Sequence, residues 1–289
     1  MSERLAFVVV LLGAILWGTS GTAQTFIPVT VDPFIIATLR LAIGGFVLFF
    51  ILIIFNKIKF KGWPWKATIG AAIILALFQY SFFTSVRLTG VAIGTVVTIG
   101  SAPLFAGILE WVILRKLPPK KWFIATFFSI IGSLLLFLNK ELLILNTTGI
   151  IVGLGAGFLF ASYTFMNKKI LENVGAIQMV AVVFSISALI LSPFFFAFNK
   201  EGLLTTEGIL AILYIGIFTA SIAYVLFSIG LKKISASSAT TLSLAEPLTA
   251  ALLGVFIVGE DLNMTAWIGI SFLLGGILII TLGRKRIKS

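Results

Sequence analysis

Hydrophobic positions in this chain gather into runs of about 20 residues that recur along its whole length, separated by short polar breaks. About 20 apolar residues is the length a helix needs to cross a hydrocarbon core of roughly 30 Å. The pattern predicts ten membrane-spanning helices, at approximately 5–27, 33–55, 67–86, 91–114, 121–138, 148–167, 176–198, 207–230, 235–258 and 263–282. Composition points to the same solvent: 60% of the residues are hydrophobic, 11% are charged, and the mean hydropathy is +1.17. An all-α membrane protein is expected, with no soluble domain or long linker. The widest break, Asn56 to Lys66, carries Trp63-Pro64-Trp65, which reads as an interfacial aromatic belt.

The net charge of +11 raises nucleic acid as a partner, so the positions of the cations decide. With the N-terminus inside, seventeen of the 21 basic residues fall on cytoplasmic segments: Arg4, the lysines at 57, 59, 61 and 66, Arg115, Lys116, Lys120, Lys121, Lys168, Lys169, Lys232, Lys233 and the terminal cluster from Arg284 to Lys288. The opposite loops hold Arg87, Lys140 and Lys200, and Arg40 lies inside a span. This is the asymmetry of the positive-inside rule, so the charge reports topology and nucleic-acid binding is not expected. Both termini are expected in the cytoplasm of a multi-pass protein of the cell's inner membrane.

Sliding the sequence against itself by 144 residues pairs Tyr80 with Tyr224, Ala92 with Ala236, Pro103 with Pro247 and Gly132 with Gly276. Near the start, Leu16-Trp17-Gly18 falls on Leu159-Phe160-Ala161 at an offset of 143. Two five-helix repeats follow, 1–140 and 147–289, and because five is odd the second is inverted relative to the first. Such inverted repeats recur in secondary transporters, whose substrate sites lie near the midplane where the halves meet. The first span resembles a secretory signal in its charged start and in the small residues around Gly21 to Ala23. Its removal would leave the sixth span unpartnered, so it is expected to be a true membrane helix. Small residues four apart mark close helix contacts or a cavity wall: Gly149, Gly153, Gly157 and Ala161; Gly90, Gly94, Thr98 and Ala102; Ala14, Gly18 and Thr22.

The residues Trp17-Gly18, Arg40-Leu41-Ala42, Glu246-Pro247, Gly259-Glu260, Trp267-Ile268-Gly269 and Gly275-Gly276 together resemble the drug/metabolite transporter superfamily, of the EamA type, over essentially the whole chain. Where that family tends to carry Gly-Glu after the fourth span, this chain has Arg115-Lys116. The resemblance implies export of small metabolites such as amino acids. It also implies a central cavity lined by the first, third, fourth, sixth, eighth and ninth helices, with the second helix peripheral.

Candidate chemistry is sparse. The chain has no cysteine and no histidine, so neither a disulfide, a metal site nor a cofactor is expected. Glu246 lies near the middle of the ninth span, where an ionised carboxylate costs at least a few kcal/mol. It must be protonated, paired or wet, and it reads either as a proton-coupling or substrate-amine site or as a static hydrogen bond between helices. Pro247 removes a backbone donor beside it, and Ser243 and Thr249 lie three positions to either side. Arg40 lies roughly 10 Å below the outer edge of the second span. It reads as a structural arginine that caps carbonyls or snorkels, or as a partner for a substrate carboxylate or for Glu246. Tyr80 and Tyr224, equivalent in the repeats, read as a symmetric gate or as packing. Gln79 needs a partner within its span, and Trp17 offers a face for an aromatic or cationic substrate. Glu110 is expected to pair with Arg115 and Lys116 at the interface, and Glu260 and Asp261 to sit at a helix N-terminus.

The expected function is a secondary transporter of small organic metabolites working by alternating access, with protons as the coupling ion and the bilayer and a small-molecule substrate as its partners. Alternatives are a facilitator or importer on the same scaffold, a channel or receptor, and an integral-membrane enzyme. No phosphate loop is present to drive primary pumping, and an enzyme would require a cluster of acids or metal ligands that the two intramembrane carboxylates do not form.

Overall fold

The computed structural model describes residues 1–28, 30–57, 60–137, 146–199, 201–259 and 261–282. Lys59, Lys140, Lys200, Glu260 and the basic cluster from Arg284 to Lys288 lie outside the described residues. The described chain is helical: α1 Glu3–Gln24, α2 Pro33–Ile54, α3 Trp65–Gly90, α4 Ile93–Leu114, α5 Lys120–Phe137, α6 Thr147–Ile170, α7 Ala176–Ala197, α8 Thr206–Leu231, α9 Ala236–Ile257 and α10 Met264–Leu282. Among the described residues nine of these are long and apolar enough to cross a membrane; α5, 18 residues opening on two lysines, is the remaining one. Large apolar side chains point outward along the bundle, Phe46, Phe196 and Phe256 among the most exposed, as a lipid-facing surface requires.

Local sequence explains where the helices start and stop. Ser2, Asp32, Asn146, Thr205 and Ser235 each accept a hydrogen bond from a first-turn backbone N–H of the helix that follows, and Pro33 fills the first position of α2. α3 and α4 are two helices joined at Gly90, whose φ of 82° and ψ of 161° break the helical path so that the chain folds back and a Cβ on Gly94 would lie 2.8 Å from Val86 Cα. Only glycine adopts that conformation without strain.

Packing pairs specific helices. α6 lies along α3 and α4, α1 along α8 and α9, α2 against α7, and α5 against α10. Lipid gives apolar helices no hydrophobic reason to associate, so these contacts rest on close approach of small residues. A Cβ on Gly132 would sit 2.7 Å from Gly269 O and 2.6 Å from Leu273 N, and one on Gly276 would sit 2.7 Å from Ala125 O. The small-residue face of α6 is likewise a packing face, with Gly149 against Leu88 and Thr89 and Gly157 against Ser101 and Ala102. Trp63 is folded into the protein, its indole N–H donating to Thr68 Oγ1 at 2.9 Å, while Trp65 stays 44% exposed as an interfacial residue would.

Polar contacts mark two ends of the bundle. One, the basic end, joins Gln178 to Lys57 O and Lys232 to Val174 O. The other joins Thr30 to Glu201 O and Asp32 to Arg87 at 3.2 Å. Arg87 is 49% exposed, so Arg87→Gln is expected to lower unfolding stability by less than about 1 kcal/mol. Asp32→Ala removes a helix cap as well and should cost about 1 kcal/mol more, read as the difference between the two variants in chemical denaturation.

Candidate functional site

The interior site is built on an interruption of α9. Its helix runs Ala236–Leu242, pauses at Ser243 and Leu244, and resumes over Ala245–Leu253. The cause is Pro247, which has no N–H to give the carbonyl of Ser243; Glu246 N donates to that carbonyl instead, at 2.9 Å, in a tighter turn. The Ser243 carbonyl is therefore satisfied. The glutamate is carried on the tightened turn itself. Glu246 is enclosed by protein yet keeps some accessible surface, so it borders open space as well as packed atoms. Its counterpart 144 residues earlier is Ala102, so only one half of the chain supplies this acid.

Arg40 is brought to it. The guanidinium acts electrostatically on both Glu246 and Tyr224, its Nε is buried without a hydrogen-bond partner, and among the described residues no carbonyl accepts from it. The reason lies one turn along α2. Gly44 packs so closely on α7 and α8 that a Cβ there would meet Ala220 Cβ, Gly216 O and Phe184 Cδ2 at 3.2 Å each. At that separation a long side chain at position 40 reaches the interior. No ion pair joins Arg40 and Glu246 directly.

Aromatic rings wall the same region. Trp17 lies with its ring centroid 4.8 Å from Tyr224 and 5.1 Å from Phe227, Phe184 is 4.9 Å from Tyr224, and Tyr163 is 6.2 Å from it. The Trp17 indole nitrogen is buried and has no partner among the described residues. Gly18, the next residue, allows α1 to rest on the interrupted helix, where a Cβ would sit 2.6 Å from Glu246 O. Trp17, Tyr224, Arg40 and Glu246 thus converge from α1, α8, α2 and α9.

The other expected residues are placed differently. Tyr80 is 41% exposed and stacks on Phe34 at 5.1 Å, whereas Tyr224 is 4% exposed, so the two tyrosines paired by the 144-residue offset do not meet and do not share an environment. Gln79 is buried on α3, its amide nitrogen without a partner among the described residues. Ser243 is buried and donates to Thr240 O at 2.6 Å, within its own helix. Glu110 accepts from Ser237 Oγ at 2.5 Å and from Ser237 N at 3.4 Å, so its partner is the start of α9 and the interfacial pair with Arg115 and Lys116 does not form. A helix N-terminus, with its unsatisfied N–H groups, competes well for a carboxylate. Asp261 precedes α10, whose first turn is capped by Asn263 through Ala266 N at 2.9 Å.

Two residues of the interior escaped the sequence reading, Tyr163 and Asn167 on α6, both fully buried. Their signal is the spacing Phe160, Tyr163, Thr164, Asn167, a single helical face that carries polar groups toward the end of an apolar span. A groove of about 430 Å³ lies nearer the end opposite the basic one, between Thr19 of α1 and Phe26 just after it, Glu207 and Tyr214 of α8, and Ile257 of α9. It begins beside the contact of Gly18 with Thr249, at the next residue, Thr19. Its floor is fixed by a hydrogen bond from Tyr214 Oη to Thr19 Oγ1 at 2.9 Å.

A multi-pass helical membrane protein with charged and aromatic side chains gathered in its interior defines the class. Residues 4–138 and 147–282 each match the EamA-like transporter family model, and the chain belongs to that family. It is 40% identical over its whole length, and over 98% of the relative, to a Bacillus subtilis (strain 168) protein described as uncharacterized transporter YwfM. It is 26% identical, over 99% of this chain and 98% of the other, to the uncharacterized inner membrane transporter YicL of Salmonella typhimurium (strain LT2). A solved crystal structure shares the fold over all of both chains, with a TM-score of 0.87 at 18% identity. The protein is therefore a multi-pass membrane transporter.

Proposed function

We propose that the protein is a secondary transporter that exports small zwitterionic metabolites, amino acids or close relatives, by alternating access, in exchange for protons. The observation that carries this reading is the enclosure of Arg40 and Glu246, of opposite charge and not paired with each other, beside the Trp17 and Tyr224 rings. Arg40 suits a carboxylate, Glu246 an ammonium, and the aromatic wall an apolar side chain. Emptied of substrate, Glu246 is the group that takes up a proton.

In this reading α5 is a tenth span and the halves are inverted repeats. Three features support it. The family model matches once in each half. The helix pairs are those an exchange of halves would leave unchanged: α2 with α7, α5 with α10, and α1 on α8 and α9 as α6 is on α3 and α4. The 144-residue exchange also turns the contact of Gly132 with Gly269 into that of Gly276 with Ala125, both at 2.7 Å. The basic end is the cytoplasmic one, by the excess of lysine and arginine there.

The test is counterflow in proteoliposomes with an imposed pH gradient and a panel of labelled amino acids, amines and nucleosides. Saturable flux of one or more amino acids that collapses with the gradient is expected. Ion currents without saturable flux would overturn the transporter reading in favour of a channel, and flux of amines or nucleosides alone would overturn the zwitterion.

A further inference from the structure

Below the aromatic cluster, toward the basic end, three buried side chains hold hydrogen-bonding atoms that have no partner among the described residues. They are the Tyr163 hydroxyl, both amide atoms of Asn167, and the Ser228 hydroxyl, each on a residue with 0% exposure. Tyr163 and Asn167 are one turn apart on α6 and within reach of one another, without hydrogen-bond geometry. Ser228 is one turn beyond Tyr224 on α8, whose ring faces Tyr163. The unused atoms therefore form a short column between α6 and α8 that starts at the Trp17 and Tyr224 cluster and runs toward the basic end. Buried polar groups are almost always partnered, and a purely structural core would have replaced these with apolar residues.

Directly beyond the column the same helices are fastened. Lys168, next to Asn167, donates to Leu231 O at 3.1 Å and to Ile234 O, which clasps the end of α8. Glu110 acts on Lys168 electrostatically while holding the first turn of α9 through Ser237. The Trp122 indole donates to Ser237 O at 3.0 Å, bringing in α5. The repeat counterparts at the opposite end, Thr25 for Lys168 and Gly254 for Glu110, carry no charge. Among the described residues the lysine–carbonyl fastening lies at the basic end.

We propose that Tyr163, Asn167 and Ser228 line the cytoplasmic half of the translocation path, shut in this conformation, and that Lys168 clasping the α8 carbonyls is the latch that keeps it shut. The proposal rests on the alternating-access reading for its purpose and on the geometry above for its location. When the latch opens, the unused hydroxyl and amide groups meet water and the polar groups of the passing solute, which is why they persist in a lipid-embedded bundle. Lys168 is suited to the task because it bonds backbone carbonyls that exist in every conformation, so releasing it leaves no side-chain partner stranded.

The absence of cysteine from the chain makes the test clean. Ser228→Cys and Asn167→Cys are placed singly in the otherwise unchanged protein and in Lys168→Met. Both are exposed, in vesicles of known orientation, to a membrane-impermeant quaternary-ammonium methanethiosulfonate. Slow labelling is expected with the latch intact, and labelling at least about tenfold faster in Lys168→Met, since rate follows the open population. The acceleration should occur from the basic-end side alone. Leu273→Cys on α10, equally buried but packed on Gly132 at the α5–α10 crossing, controls for general loosening. Unchanged labelling at Ser228→Cys, or equal acceleration at Leu273→Cys, would overturn the proposal. Labelling requires no transported solute, so this result and the flux experiment fail independently of each other.

Discussion

Glu246→Gln is expected to reduce pH-gradient-driven flux by at least about tenfold, about 1.4 kcal/mol of lost driving interaction, and to leave the remaining flux insensitive to the gradient. Glutamine keeps the size and much of the hydrogen bonding of glutamate, so the helix interruption at Ser243 and Leu244, which comes from Pro247, should survive and the folded yield should be unchanged. What it deletes is the charge and the exchangeable proton. Arg40 then faces an interior with no balancing acid, and an isolated buried charge is more costly than a buried pair of opposite charges. The double variant Arg40→Met/Glu246→Gln should accordingly be more resistant to thermal unfolding than Glu246→Gln, while transporting no better. Normal flux with unaltered pH dependence in Glu246→Gln would remove the coupling role, and Glu246 would then be a structural acid balanced against Arg40.

Much of the architecture was legible because lipid imposes a simple code. Span length, flanking lysines and the 144-residue self-match gave nine helices directly and the position of the remaining one to within a residue at each end. Side-chain placement was less legible, and the misplacements have local causes. Tyr80 and Tyr224 are equivalent in sequence, yet the stretch Ile215–Ile222 before Tyr224 is wound as a wider π-helix, where the corresponding turns before Tyr80 are α-helical. A π segment changes the angular register of everything after it, turning Tyr224 inward while Tyr80 faces out. The interior position of Arg40 depends on how closely Gly44 lets α2 approach, a distance that no single-helix pattern encodes. Glu110 was read against its sequence neighbours Arg115 and Lys116, whereas its partner Ser237 is 127 residues away. The depth of Trp17 and Glu246 within their spans was readable, since it is a property of span length alone.

The largest expected effect on stability lies where α5 crosses α10. Gly132→Val and Gly276→Val each place a side chain against backbone: Gly269 O and Leu273 N for the first, Ala125 O and Ser129 N, at 3.0 Å, for the second. Backbone has nowhere to go, so the helices must separate, at a cost of about 1–3 kcal/mol or more apiece. If the halves are related by an axis through this crossing, the two substitutions are the same perturbation applied from opposite sides and should lower the melting temperature by matching amounts. Once the first has pushed the helices apart, the second meets less resistance, so the double variant should lose less than the sum. Gly275→Val is the internal control: a Cβ there meets nothing within 4 Å, and its adjacent position on the same helix isolates the contact from any general intolerance of valine. Unequal costs at 132 and 276 would argue against an exchange axis at α5 and α10, and a destabilised Gly275→Val would assign the losses to helix propensity instead of to the crossing.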